Sequence, residues 1–198
     1  MQFTIATILA TIAAVSAAPT PAPEAQAYTL MAIRSASPIH YGSLQASGQK
    51  FYIGLDKPSS YCPSPPVDPK ACPSGKATSI AWGESGPYMN VMVPGGQRLY
   101  IAPDRSLSYT QAHSAFIPDG SITDGFTRGE KQENTLTPIS HGSDAFLACP
   151  TKQGAGPYQI FVGQPTDAAV PSGKASDCIP FAAEGVEFTG ERFGAWQY

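Results

Sequence analysis

The chain has 198 residues and a formal net charge of -3, from 15 acidic and 12 basic side chains. Its basic residues form no cluster, so the sequence excludes nucleic acid and anionic membrane as expected partners. Gly and Pro account for 19 and 20 residues, which predicts frequent turns and leaves little sequence for long helices.

The N-terminal segment predicts export from the cell. Residues 1–17 contain an uncharged apolar run and end in Val15-Ser16-Ala17, a pattern typical of a secretory signal peptide cleaved after Ala17. Residues 18–26 are rich in Pro and Ala and predict an extended linker, and residues 27–198 are expected to form one domain. No second apolar run of membrane length and no hydrophobic GPI-attachment tail follow. We therefore expect a protein that is secreted and is either released or held noncovalently at the cell wall.

The domain has an all-β sequence pattern. Short runs rich in Tyr, Ile, Val, Phe and Thr alternate with Gly, Pro, Asn, Asp and Ser, and no window keeps a helical apolar period. The predicted strands cover residues 28–35, 39–45, 50–56, 77–83, 88–93, 98–103, 106–111, 144–150, 158–163 and 178–188.

A recurring hairpin motif suggests the architecture. A Gly-containing turn leads into a strand with two large apolar residues three times, with Phe51, Leu99 and Phe146 in equivalent places, 48 and 47 residues apart. Near-equal spacing of one motif is typical of closed structures built from repeats. We therefore predict a single compact antiparallel β-barrel, trefoil-like with three pseudo-repeats. A two-sheet β-sandwich is the alternative.

The four cysteines predict two disulfide bonds. An even number of cysteines in an exported chain is typical of oxidised pairs, although three pairings are possible. We favour Cys62–Cys72, which closes a short Pro-rich loop, and Cys149–Cys178, which ties a predicted strand to the start of the last segment.

Residues 138–150, PISHGSDAFLACP, resemble a catalytic site in composition. However, Ser140 and His141 are adjacent, and adjacent residues on an extended strand point to opposite faces, so a Ser–His dyad is not expected. No G-x-S-x-G motif occurs. We interpret the segment as a polar turn entering a buried strand, with His141 satisfied by the backbone.

Other constellations carry little chemistry. His40, His113 and His141 lack metal-ligand spacing, and most carboxylates lie in turn-rich segments where acidic side chains solvate loops. We predict no catalytic residue, no metal and no cofactor. Trp82 and Trp196 are candidate ligand-stacking aromatics, although aromatic side chains in alternating strands more often belong to the core.

The order of these segments resembles a known family. Residues 28–55, the Cys62 loop, residues 136–150 with their ACP tripeptide, YQIFVG (158–163) and the Cys178 segment resemble small secreted fungal cell-wall proteins of the phialide-protein family. Its members are described as PhiA-like or IgE-binding-protein-like proteins. The broader group resembles fungal hypersensitive-response elicitors. The resemblance implies an extracellular or wall-associated fungal β protein with no catalytic residues. By that likeness Cys62, Cys149 and Cys178 match family cysteines, whereas Cys72 departs from the pattern.

These observations lead to a function hypothesis with two alternatives. We expect a monomeric, non-enzymatic, secreted fungal cell-wall protein that hosts perceive as an elicitor or allergen, so its partners would be wall polysaccharide or a host receptor. A carbohydrate-binding wall module should instead show a solvent-facing row of aromatics. A small hydrolase with an unfamiliar site should show converging carboxylates or a histidine beside a nucleophile.

Overall fold

A computed structural model describes residues 26–83, 86–133 and 136–198. The predicted signal peptide and all but the last residue of the predicted linker lie outside this part of the chain. Twelve β-strands make up the regular structure, with two three-residue 3-10 helices at Pro69–Ala71 and Ala175–Asp177. In the described part of the chain, no helix has the length and apolar character needed to cross a membrane. The strands are β1 Ala27–Ile33, β2 Gln45–Ser47, β3 Lys50–Ile53, β4 Ile80–Gly83, β5 Gly86–Met89, β6 Leu99–Ile101, β7 Leu107–Tyr109, β8 Phe126–Arg128, β9 Leu136–His141, β10 Phe146–Lys152, β11 Ala155–Val162 and β12 Ile179–Glu187.

Alternating burial explains why these segments form strands. In β1 every second residue is buried, which places Tyr28, Leu30 and Ala32 on the core side and Thr29 and Met31 on the outer side. A period of two suits a strand with one face on the core, because successive side chains point to opposite faces. The all-β prediction is confirmed.

The strands join in one antiparallel sheet. The main path runs β5-β4-β1-β12-β10-β11-β3-β7-β6, with β2 attached to β3, β9 to β12 and β8 to β9. The last strand, β12, is central: its first residues pair with β10, while the rest lies between β1 and β9.

The sheet is not closed into a barrel, so the predicted barrel describes the architecture only loosely. The two ends of the path, β5 and β6, meet at one isolated bridge between Tyr88 and Arg98, beside a 2.8 Å hydrogen bond from the Met89 N–H to the Gln97 carbonyl. Both strands form their ladders on the other side, β5 with β4 and β6 with β7, and no ladder joins β5 to β6 in the described part of the chain.

The three residues of the recurring hairpin motif all reach the main core. Phe51, Leu99 and Phe146 are buried in the same cluster, and each lies in a strand that follows a Gly-containing turn. Their strands have different partners, however: β3 pairs with β2, β7 and β11, β6 pairs with β7, and β10 pairs with β11 and β12. The motif therefore marks buried strands without giving them equivalent positions in the sheet.

A second, smaller core lies on the outer side of β10 and β11. Cys149, Phe161 and Val170 are buried there, with Leu147, Ala175 and Cys178 packed against them. The loop of residues 163–178 supplies Val170 and covers this side of the sheet, which is why β10 is buried on both faces.

Candidate functional site

His141 is the residue whose neighbours most resembled a catalytic site. It ends β9 and is nearly buried, and both of its ring nitrogens face an acceptor. The Nδ1 atom lies 3.1 Å from the Asp144 carboxylate, and the Nε2 atom lies 3.0 Å from the Asp124 carbonyl oxygen. Gly125 allows this close approach, because a Cβ atom there would lie 2.9 Å from Nε2. The ring thus joins two loops, and one of its partners is a carboxylate where we expected only backbone.

Ser140 points away from His141, as strand geometry predicts. Its exposed hydroxyl pairs with the Thr127 hydroxyl of β8 at 2.7 Å, whereas His141 faces inward and packs edge-on against Phe126. With both ring nitrogens engaged and no serine on its side of the strand, His141 is not arranged as the base of a Ser–His pair.

A lysine–serine–aspartate cluster joins β3 to the β6–β7 hairpin. Lys50 Nζ contacts the Ser106 hydroxyl, lies 3.2 Å from Ser108 Oγ and pairs with the Asp104 carboxylate at 3.7 Å. Ser106 donates its hydroxyl to Asp104 at 2.5 Å and its N–H at 3.0 Å. Partial burial would raise the pKa of Asp104, but these hydrogen bonds and Lys50 outweigh it and hold that pKa below its ordinary value.

This cluster contains the residue types of a Ser–Lys nucleophile, yet it lacks access. Both Ser106 and Ser108 are completely buried, so a substrate cannot reach either hydroxyl without opening the hairpin. Lys50 is held by its carboxylate partner as part of an ion pair. The cluster therefore connects β3 to the β6–β7 hairpin, two parts of the fold that are far apart in the sequence.

Apart from the His141–Asp144 pair, the carboxylates and histidines do not converge in the part of the chain that the structure describes. Glu187 pairs with Lys131 at 2.9 Å, and Glu191 accepts the Ser74 N–H at 3.0 Å. Glu184 takes part in neither contact, and burial raises the pKa of its carboxyl group. Among the described residues, no group of three His, Cys, Asp or Glu side chains is placed to hold a metal ion.

Two grooves meet at the Gly95–Gly96 turn and share Arg98. The first, of about 370 Å³, lies along Gly83, Pro87 and Tyr88. The Arg98 side chain donates to the Thr123 carbonyl at 3.2 Å, which fixes it beside the turn. These grooves are the candidate binding surface.

The second groove, of about 540 Å³, offers groups that can hydrogen-bond a ligand. Thr110, His113 and Ser114 line it, and His113 has a φ of 62°, a backbone conformation that is uncommon outside glycine. Phe116 lies between two lining residues, Ala115 and Ile117, and is 74% exposed. Phe116 is not itself among the lining residues, but a groove with hydroxyl and imidazole groups on a loop that carries an exposed aromatic side chain suits a sugar.

The predicted stacking residues lie elsewhere. Trp82 and Trp196 both pack against the main core with partly exposed side chains, and neither lines the two grooves. The most exposed large aromatics, Tyr41, Tyr61 and Phe116, lie on three different loops, so they do not form a row on one strand. A ligand-stacking role for the tryptophans remains a prediction.

Two disulfide bonds are present, with the favoured pairing. Cys62 is bonded to Cys72 and Cys149 to Cys178, and the described residues contain no free cysteine. Cys149 is completely buried, whereas Cys62 and Cys72 are partly exposed.

Sequence reasoning missed the Lys50 cluster and the two grooves. Asp104 and Ser106 have the spacing of an Asx turn, which is a local signal, but nothing in the sequence pairs them with Lys50. The sequence indicated a turn at Gly95–Gly96, but the walls of the two grooves come from three separate segments of the chain.

These features define an all-β protein with two disulfide bonds. The chain belongs to the PhiA-like secreted protein family, whose model matches residues 28–198. It is 38% identical over 157 residues to a protein of Arthroderma benhamiae described as an "Uncharacterized secreted protein", with 78% of this chain and 76% of the relative covered. No solved structure gives a significant match. The protein is therefore a secreted member of this family.

Proposed function

We propose that the protein is a non-enzymatic, noncovalently held component of the fungal cell wall. The observation that carries this proposal is the engagement of His141, whose two ring nitrogens face the Asp144 carboxylate and the Asp124 carbonyl. The family and the secreted relative support the extracellular location. Ser106 and Ser108 support the same conclusion, because both are buried next to Lys50 and take a structural role.

Extraction of the wall tests this proposal. Without a covalent glycan link, hot detergent, alone or with a thiol reductant, should release the protein from isolated walls, and immunoblotting of the two extracts measures the released fraction. Detergent alone breaks noncovalent contacts, whereas a fraction that also needs reductant is held by disulfide exchange. Release that always needs the reductant would contradict the noncovalent part of the proposal, and retention after both treatments, with release only by glucanase, would contradict it as well.

Recognition by a host is a further part of the proposal. A secreted domain with two disulfide bonds resists unfolding outside the cell, which favours its survival as an intact antigen or elicitor. Infiltration of the purified protein into leaves, scored for cell death, and binding of serum IgE test the two roles. Absence of both responses at micromolar protein would remove this part and leave the wall association standing.

A second candidate function, carbohydrate binding, is favoured by the groove of about 540 Å³ beside Phe116. His113 and Ser114 would hydrogen-bond sugar hydroxyls, while Phe116 would offer its face to the apolar side of a ring.

Replacing Phe116 with Ala tests this candidate. Because the side chain is 74% exposed, the change should barely alter stability, but it should weaken binding to insoluble glucan or chitin at least fivefold in a pull-down. Tyr41→Ala is the matched control, since Tyr41 is 65% exposed on a different loop. Equal binding by both variants would exclude the Phe116 groove as a sugar site.

A further inference from the structure

The Cys62–Cys72 bond closes a small lobe that stands apart from both cores. Residues 62–72 include the 3-10 helix Pro69–Ala71, and none of them belongs to either core cluster. The backbone hydrogen bonds in this lobe are local ones, such as Val67 N–H to the Pro63 carbonyl and Cys72 N–H to the Pro69 carbonyl. The lobe can therefore rearrange without disturbing the sheet.

The lobe is fixed to the body at its base. Before it, Tyr61 exchanges backbone hydrogen bonds of 3.0 and 3.2 Å with Gln197, and after it, the Ser74 N–H donates to Glu191 at 3.0 Å. These contacts do not depend on the disulfide, so breaking the bond leaves both ends of the lobe attached.

The other disulfide differs because it belongs to a core cluster. Cys149 is completely buried in β10 and forms the smaller core with Phe161 and Val170. Attack on a disulfide requires direct approach to a sulfur atom, so a thiol in solution reaches Cys149 only when the loop of residues 163–178 opens. Cys178 is partly exposed, but it ends this loop and packs against the smaller core.

A cleft of about 570 Å³ gives access to Cys72. Cys72 lines it together with Ser74, Met92, Arg192 and Phe193, so the lobe forms one wall and the C-terminal segment forms the other. Arg192 places a cation beside this opening, which favours the approach of an anionic thiolate. Glu191 also lines the cleft, and the Ser74 N–H keeps its carboxylate charged, so it partly offsets this attraction.

From this contrast we propose that Cys62–Cys72 is a thiol-exchange site, at which an external cysteine thiol forms a mixed disulfide with Cys72. The partner thiolate attacks Cys72 Sγ, a new S–S bond forms, and the Cys62–Cys72 bond breaks with its electron pair leaving on Cys62 as a thiolate. The partner thiol loses its proton to solvent before the attack, and no other oxidant or reductant takes part. The class of partner is a cysteine-containing extracellular protein or peptide. This goes beyond the proposed wall association, which needs only noncovalent contacts.

Reaction with reduced glutathione tests the site on the purified mature protein. The folded protein is incubated with glutathione near pH 8, trapped with iodoacetamide and mapped by mass spectrometry. We expect glutathione on Cys72 and the alkyl group on Cys62, at a level at least tenfold above any modification of Cys149 or Cys178. The same reaction in concentrated urea is the control, because there all four cysteines should react.

Other outcomes would overturn the proposal. Equal modification of the two disulfides, or none at either, would remove the site, and glutathione found mainly on Cys62 would overturn the assignment of Cys72 as the attacked sulfur. A Cys62→Ser/Cys72→Ser variant should stay folded and carry no adduct. Since this test uses a soluble thiol and no wall material, its failure leaves the proposed wall association untouched, and failure of wall binding leaves the exchange site untouched.

Discussion

Removal of the buried disulfide gives the sharpest test of how this fold is held together. Cys149 lies in β10, Cys178 precedes β12, and the loop between β11 and β12 covers the outer side of the sheet between them. Replacing both cysteines with Ala deletes the cross-link and the buried sulfur atoms, but it introduces no polar group into the smaller core. The change therefore measures the cross-link together with the small packing loss of the sulfur atoms.

The size of the effect follows from the length of the closed loop. For a sequence separation of 29 residues, the loop-closure model gives about 3.6 kcal/mol of stabilisation at 25 °C. In a domain of this size one kcal/mol corresponds to about 2–4 °C in Tm. We therefore expect the Cys149→Ala/Cys178→Ala variant to melt about 7–14 °C below the wild type.

Thermal unfolding followed by circular dichroism measures this difference, provided that refolding on cooling shows reversibility. Cys62→Ala/Cys72→Ala is the matched control: its separation of 10 residues gives about 2.7 kcal/mol, and its lobe lies outside both cores. A fall of less than about 3 °C for the buried pair, or a larger fall for the exposed pair, would refute the reasoning.

Two further predictions concern buried polar side chains. His141→Gln should lower the free energy of unfolding by about 1–3 kcal/mol in a urea titration, because an amide cannot reproduce the contacts of the ring with Asp144, Asp124 and Phe126, while wall binding should stay the same. Unchanged stability would mean that these hydrogen bonds contribute little, and lost wall binding would revive a functional role for His141. Burial raises the pKa of Tyr109 to about 12, so between pH 10 and pH 12 the unfolded tyrosine loses its proton while the folded one keeps it, and stability falls by roughly 3 kcal/mol at most. Tyr109→Phe should flatten the loss of stability over this range, and an alkaline profile identical to that of the wild type would contradict the assignment.

Local patterns were sufficient for several features of the fold. The predicted strand at 178–188 is β12 at Ile179–Glu187, and the alternating apolar residues of 28–35 form β1. The disulfide pairing also followed from local sequence, because a short Pro-rich loop brings Cys62 and Cys72 together and one hairpin plus one loop connects the other pair. Each of these features depends on neighbours along the chain.

Other features required the tertiary structure. The predicted strand at 39–45 is mostly a turn. In this turn Tyr41 has a φ of 60° and donates its N–H to the carbonyl oxygen of Ala32 in β1. The three-residue β8 at Phe126–Arg128 had no detectable pattern, since it is largely exposed and exists because β9 offers it an edge. Short segments take their conformation from their partners, and a sequence pattern does not identify those partners.

The polar clusters and the binding surface belong to this second group. The alternation of side chains along a strand was enough to predict that Ser140 and His141 point to opposite faces, because this period is a local property. Only the folded chain places Asp124 against the His141 ring, brings Lys50 to Ser106 across the β3–β7 pairing, and builds grooves on both sides of Gly95 and Gly96. These contacts join residues from about 17 to more than 50 positions apart. An antiparallel sheet of short strands can bring such residues together in many ways. The strand order therefore decides which of them meet.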